Sequence, residues 1–122
     1  LTAEVIRYFR RSLGSPLVPY IVGGNTQSVL EDLLATGTNN LLCDFSSDLG
    51  YFVRRLRSEP VILRANLDAR FLNSLSVPEI QKKSREMVAQ GWLHPRFMLG
   101  TSILPYDTSP EKVQAIRDVL LG

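Results

Sequence analysis

Polar and glycine residues that can bind a ligand follow each of four short apolar runs in this sequence. A Gly-Gly turn before a helix can receive an anion on its backbone amides. A carboxylate can orient an amine or accept a proton, and a guanidinium binds carboxylates through a rigid fork of donors. We expect these residues to position a substrate rather than transfer protons; they are Gly24, Asn25, Asp44, Arg64, Asn66, Asp68 and Thr101.

Each of these residues also has a structural interpretation. The Gly23–Thr26 segment is typical of a tight turn in which a polar residue caps the next helix. Asp48 is expected to cap a helix rather than to act in catalysis. Arg64 ends an apolar strand, where a guanidinium is unfavourable unless it is paired. Its partner is expected to be either Asp44 or Asp68, or else a carboxylate of a ligand.

The elements that position these residues form a repeating pattern. Apolar residues at helical spacing predict a first helix over 2–13, ended by Gly14. Short apolar runs then alternate with amphipathic segments. They predict strands over 17–22, 40–43, 61–64 and 97–99, and helices over 26–35, from 48, over 78–90 and from 109. The chain is thus an N-terminal helix followed by four β/α units.

Near-continuous apolar strands that alternate with helices predict a parallel sheet covered by helices. Two architectures fit this pattern. One is half of a (β/α)8 barrel, which leaves two sheet edges and an interior face open to a partner. The other is a flat, open, four-stranded sheet with helices on both faces.

Length and composition restrict the function. The 122 residues are expected to form one domain, residues 1–122, and 44% hydrophobic content suffices for a core. A net charge of +2 with interspersed signs indicates no nucleic-acid partner. No apolar run approaches the roughly 18 residues of a membrane span. The single cysteine, Cys43, excludes an internal disulfide and favours a cytoplasmic setting. Because the chain begins at Leu1, we expect it to be a piece of a longer protein.

Three segments together resemble the uroporphyrinogen decarboxylase family. The stretch GGNTQSVLEDLLATGTNNLLCDFSSDL resembles the family's strand ending in Gly-Asn-Thr, the following helix, and a strand ending in an acidic residue. Residues 64–69, RANLDA, resemble its Gly-Asn-Leu-Asp-Pro element, with alanines at the family's Gly and Pro. Residues 99–111, LGTSILPYDTSPE, resemble its closing element. The segments occur in the family's order, and the resemblance implies the C-terminal half of a (β/α)8 barrel.

The resemblance also implies chemistry. The family includes decarboxylases of tetrapyrrole biosynthesis, which remove carboxylates from porphyrinogen acetate side chains, and zinc-dependent methyltransferases linked to corrinoids. The zinc ligands of those methyltransferases correspond here to Ile21, Gly23 and Thr101, none of which suits zinc. A decarboxylase histidine also corresponds to Thr101. We therefore expect no metal and no other cofactor in this chain, and no activity in isolation.

Two classes of function remain open at this stage. In the first, the chain is part of a decarboxylase-like protein that binds a tetrapyrrole, or of a methyltransferase that binds a corrinoid-linked small molecule. In the second, it is a non-catalytic binding or assembly module. Its partner is expected to be an N-terminal barrel half or a second copy in a homodimer. The loop at 92–95 is expected to hold a surface histidine, His94, with Trp92 packed against it.

Overall fold

The computed structural model describes all residues, 1–122, and contains five α-helices and four strands. The helices are α1 (Thr2–Ser12), α2 (Leu30–Ala35), α3 (Leu49–Leu56), α4 (Val77–Gly91) and α5 (Pro110–Leu121). The strands are β1 (Pro19–Tyr20), β2 (Asn40–Cys43), β3 (Ile62–Leu67) and β4 (Phe97–Thr101). Two short 3₁₀ turns lie at Gln27–Val29 and Ala69–Phe71. The prediction of an N-terminal helix and four β/α units is confirmed.

All four strands are parallel, and their order in the sheet is β1-β2-β3-β4. Right-handed crossovers between consecutive neighbours place every connecting helix on the same face of the sheet. An open sheet covered on both faces instead needs a reversal of strand order. The architecture is therefore that of half a (β/α)8 barrel, and the flat alternative is wrong.

The core lies between the sheet and the helices, in two clusters. The first contains the apolar face of α3, including Phe52 and Leu56, against the β2 and β3 side chains Cys43 and Ala65. The second joins Leu67 and Leu99 of the sheet to α4 and α5. Alternate residues of the same strands point away from these helices, because side chains alternate along a strand. Leu42, Arg64 and Met98 are paired across β2, β3 and β4 on that opposite face.

Two helix starts follow from local chemistry. The side chain of Asp48 accepts a hydrogen bond from Tyr51 N at 3.2 Å, which confirms that it caps α3. At α4, the Glu79 carboxylate accepts from both the amide and the hydroxyl of Ser76, at 2.8 and 2.6 Å. Pro78 lies in the first turn of α4, where no intrahelical donor is needed.

The first strand is shorter than the predicted 17–22. The amide of Val18 donates to the Asn39 side chain at 2.8 Å, and that of Tyr20 donates to Thr38 Oγ1 at 3.1 Å. Pro19 has no amide to donate. Side-chain acceptors thus replace the backbone hydrogen bonds of the sheet along this segment. Only Pro19–Tyr20 remains paired with β2.

Other boundaries also differ from the predictions. The predicted helix over 26–35 begins with a 3₁₀ turn and becomes α-helical only at Leu30. Strands β3 and β4 run further toward their carboxyl ends than predicted, because Asn66 and Leu67 pair with Gly100 and Thr101. Asn66, Gly100 and Thr101, which were expected to follow these strands, therefore lie within them, whereas Asp68 follows β3 as expected.

His94 is buried, with 2% of its surface exposed, so the prediction of a surface histidine is wrong. Its Nδ1 accepts from Arg96 N at 3.1 Å, which makes the other ring nitrogen the donor to Leu56 O at 3.1 Å. Trp92 is 70% exposed and does not pack against the loop as expected. The single histidine thus ties the end of α3 to the start of β4. None of the helices combines the length and the apolar character that crossing a bilayer requires.

Candidate functional site

The carboxyl ends of the four strands meet at one edge of the sheet, called the rim below. The amide of Gly24, after β1, donates to the Asp44 carboxylate after β2 at 2.8 Å. Asn66 of β3 is paired with Gly100 of β4. These four positions therefore lie together, as expected of parallel strands.

Arg64 is the central charge on the face of the sheet that the helices leave uncovered. Its Nε donates to Asn66 Oδ1 at 3.1 Å, and its Nη2 lies 3.5 Å from Thr101 O. A Cβ at Gly100 would come within 3.2 Å of Arg64 Nε and of Asn66 Oδ1. Gly100 therefore leaves the space in which the guanidinium crosses β4.

No carboxylate of the chain pairs with Arg64. Asp68 binds Arg70 instead, with Nη2 2.6 Å from Oδ2, and its carboxylate also accepts from Arg70 N. The hydrogen bond from Arg70 lowers the pKa of Asp68. Asp44, the other expected partner, accepts from Gly24. The expected pairing of Arg64 with Asp44 or Asp68 is therefore wrong, and the guanidinium is half-buried without a counter-charge.

The Gly23–Thr26 turn is held mainly by its own neighbours. Gly24 adopts a positive φ of 82°, which favours glycine, and its amide is already used by Asp44. Asn25 Oδ1 accepts from Gln27 N at 3.1 Å. Thr26 Oγ1 is buried without a hydrogen-bond partner and does not cap the helix. This turn offers a ligand fewer amides than its sequence predicts.

A cavity of about 690 Å³ opens beside the rim, between α3 and α4. Of the predicted site residues, Asp44, Asn66 and Asp68 line it, whereas Arg64, Thr101, Gly24 and Asn25 do not. Cys43 also lines it, and burial, followed by the charges of Asp48 and Asp44, raises the pKa of its thiol to about 12. Asp44 and Asp68 thus lie at the cavity, whereas Arg64 lies on the uncovered sheet face with the Asn66 side-chain oxygen that it contacts.

Sequence reasoning missed Phe45 and Phe71, which line the cavity, and Arg70, which lies over their rings. The guanidinium carbon of Arg70 lies 4.7 Å from the Phe45 ring centroid and 5.7 Å from that of Phe71. The available signal was an aromatic residue close behind each strand-terminal aspartate, in Asp44-Phe45 and in Asp68-Ala69-Arg70-Phe71. Nowhere in the chain do three or more His, Cys, Asp or Glu side chains gather as a metal site requires.

The uroporphyrinogen decarboxylase (URO-D) family model matches residues 1–120. No curated protein matches the chain. The match covers α1 and all four β/α units, in agreement with the parallel half-barrel. The chain therefore belongs to the uroporphyrinogen decarboxylase family.

Proposed function

We propose that the chain supplies a carboxylate-binding part of a uroporphyrinogen decarboxylase-like protein that acts on a carboxylated tetrapyrrole. The reaction of that parent protein is the decarboxylation of porphyrinogen acetate side chains, in a cytoplasmic setting. The observation that carries this proposal is Arg64, a half-buried guanidinium at the rim with no carboxylate partner in the chain.

The geometry of Arg64 suits an external carboxylate. A guanidinium remains charged at any physiological pH and presents five donors in a fixed fork. Here Nε is used by Asn66, Nη2 has only a long contact with Thr101 O, and Nη1 bonds to no protein atom. Asn66 therefore orients the fork, and two nitrogens remain available for a bidentate carboxylate.

The rim positions substrate, and proton transfer belongs to residues outside this chain. Arg64 and Asn66 act on the uncovered face, where Thr101 contributes its backbone carbonyl, and Asp44, Asp68, Gly24 and Asn25 shape the neighbouring loops. Burial keeps the Cys43 thiol neutral, and His94 lies at the opposite end of the sheet. The isolated chain is thus expected to bind a polycarboxylate without turning it over.

A second candidate is a non-catalytic assembly module. Ile21 and Met98 on the face away from the helices are 55% and 44% exposed, which favours a covering partner. An N-terminal barrel half or a second copy of the chain would pair with the edges of β1 and β4. On this view, the rim residues are turn formers and bind no substrate.

Equilibrium binding of uroporphyrin, an air-stable polycarboxylate tetrapyrrole, separates the two candidates. Charge-assisted hydrogen bonds contribute about 1.5–3 kcal/mol, so Arg64→Met is expected to weaken binding by about 10- to 100-fold. The absorbance titration is repeated with Arg117→Met, which removes an exposed arginine of α5 and is expected to bind as the unaltered chain does.

Octaethylporphyrin, which lacks carboxylates, serves as the ligand control. Equal binding of both porphyrins, or equal affinity of Arg64→Met and the unaltered chain, would refute carboxylate recognition by Arg64. A concentration-dependent dimer that binds neither porphyrin would favour the assembly module.

A further inference from the structure

The cavity between α3 and α4, the α3–α4 cavity, lies on the helix side of the sheet. Its floor contains the buried side chains of Cys43, Ala65 and Leu67, and α4 contributes Ile80 and Met87 to its walls. Arg64, on the other face, does not line it. A volume of about 690 Å³ falls in the range of small-molecule sites. The cavity is therefore an apolar site separate from the carboxylate-binding Arg64.

A cation already lies against three residues of the cavity lining, Phe45, Asp68 and Phe71. The Arg70 guanidinium stacks on the Phe45 ring and lies within reach of the Phe71 ring, at 4.7 and 5.7 Å from the two centroids. Asp68 holds it through contacts of 2.6 and 2.9 Å. The nearby charge of Asp44 further raises the pKa of Arg70. Two aromatic faces and two carboxylates thus surround one positive charge, as in known sites for organic cations.

The lining of the cavity favours positive ligands. Four carboxylate side chains line it, and a single ammonium group, that of Lys83, opposes them; the acids are Asp44, Asp48, Asp68 and Glu86. Asp44 is 9% exposed and forms no ion pair. A negative ligand would meet an excess of carboxylates over the charges of Lys83 and Arg70, whereas an ammonium group would be attracted by it.

We propose that the α3–α4 cavity binds an organic cation with an apolar body, and that Arg70 occupies the head-group position of that ligand in the free protein. The apolar body packs on Ala65, Leu67 and Met87. The cationic head takes the place of the guanidinium against Asp68 and the Phe45 ring.

Arg70 is able to leave this position. Its side chain is 67% exposed, so it can turn into water without opening the core. Exposed ion pairs are weak, because solvent screens them and ordering two long side chains opposes them. A ligand that buries apolar surface in the cavity as well can therefore displace the guanidinium.

Methionine methyl signals distinguish this site from the proposed carboxylate site. The chain has two methionines. Met87 lines the cavity, whereas Met98 is paired with Arg64 on the other face. In a chain labelled with [methyl-¹³C]methionine, 3-phenylpropylammonium is expected to shift the Met87 signal in a saturable manner and to leave Met98 unchanged. The neutral 3-phenylpropan-1-ol is expected to bind more weakly.

The Arg70→Ala variant tests the role of Arg70 directly. Removing an exposed ionic competitor is expected to tighten ammonium binding by about two- to fivefold. Arg117→Ala removes an arginine of similar exposure from its pair with Asp118 and serves as the matched control. Adding Asp68→Asn to Arg70→Ala is expected to weaken binding again, because asparagine keeps the turn-capping oxygen and loses the charge.

Several outcomes would overturn the proposal. They are an unresponsive Met87 signal in both the unaltered chain and Arg70→Ala, equal affinity for the alcohol and the ammonium, or weaker binding by Arg70→Ala. The failure of this proposal leaves the Arg64 proposal intact, because the Met87 and Met98 signals report on the two sites separately.

Discussion

The two ends of the sheet use their polar residues differently. At the base, where the strands begin, Thr38 Oγ1 accepts from Tyr20 N and contacts the carbonyls of Val18 and Asn40 at 2.8 and 3.1 Å. Both ring nitrogens of His94 are also used. Every hydrogen-bonding atom of these two buried side chains thus has a protein partner.

At the rim, some polar groups lack a hydrogen-bond partner or a counter-charge. The Arg64 guanidinium has no counter-charge, and Thr26 Oγ1 is buried without a partner. Barrel enzymes use the carboxyl ends of their strands for binding and catalysis, and the amino ends for stability. The buried polar side chains at the base have protein partners, whereas Arg64 at the rim lacks a counter-charge, in keeping with the proposal that the rim keeps groups for a ligand.

The largest expected effect is at the base. His94→Ala leaves the partly buried Arg96 N without its partner, leaves Leu56 O with Glu59 N as its remaining partner, and creates a cavity. An unpaired donor costs about 1–3 kcal/mol and the cavity adds to this, so we expect a loss of about 2–4 kcal/mol in the free energy of unfolding. Urea denaturation followed by circular dichroism measures it. A loss below about 1 kcal/mol, within the range of ordinary surface substitutions, would contradict a structural role for the base.

Two glycines extend the comparison. A Cβ at Gly91 would collide with the Phe97 ring, so Gly91→Ala is expected to cost about 1–3 kcal/mol through overpacking. A Cβ at Gly100 would meet only the ends of the Arg64 and Asn66 side chains, which can move. Gly100→Ala is thus expected to cost less than about 1 kcal/mol and to weaken uroporphyrin binding. Thermal unfolding of the two variants, with the porphyrin titration, checks this; equal losses of stability would contradict it.

The pH dependence of stability should reveal the neutral histidine. Burial lowers the pKa of His94 below its ordinary value of 6.5. As the pH falls, the unfolded chain therefore binds a proton before the folded chain does. The contribution of His94 to the free energy of unfolding is complete above pH 6.5 and is lost as the pH falls through the folded pKa. Urea midpoints measured from neutral to mildly acidic pH are expected to fall. His94→Asn should give a flatter profile, and an equal slope in both proteins would refute this assignment.

The sequence predicted those elements that are determined by residues close together in the chain. The apolar residues of α3 at helical spacing are all buried, and Asp48 caps that helix as expected. The parallel direction of the strands followed from their alternation with helices. The family resemblance then favoured a half-barrel over an open sheet, and the sequential strand order confirms it.

What the sequence did not predict depends on contacts between distant segments. His94 is buried by packing against Leu56 O, 38 residues away in the chain. The short β1 results from acceptors on Thr38 and Asn39, which no pattern within 17–22 reveals. Asp68 binds Arg70, two residues along the chain, and only the structure shows that Arg64 is left without a carboxylate.

The stability of Arg64→Met tests the central comparison most directly. A guanidinium kept for a ligand contributes little to folding, since no counter-charge offsets its partial burial. We expect the free energy of unfolding, measured in urea at neutral pH, to be unchanged or up to about 1 kcal/mol higher than that of the unaltered chain. A loss of more than about 1 kcal/mol would show that Arg64 is a structural residue and would contradict the account of the rim as a ligand site.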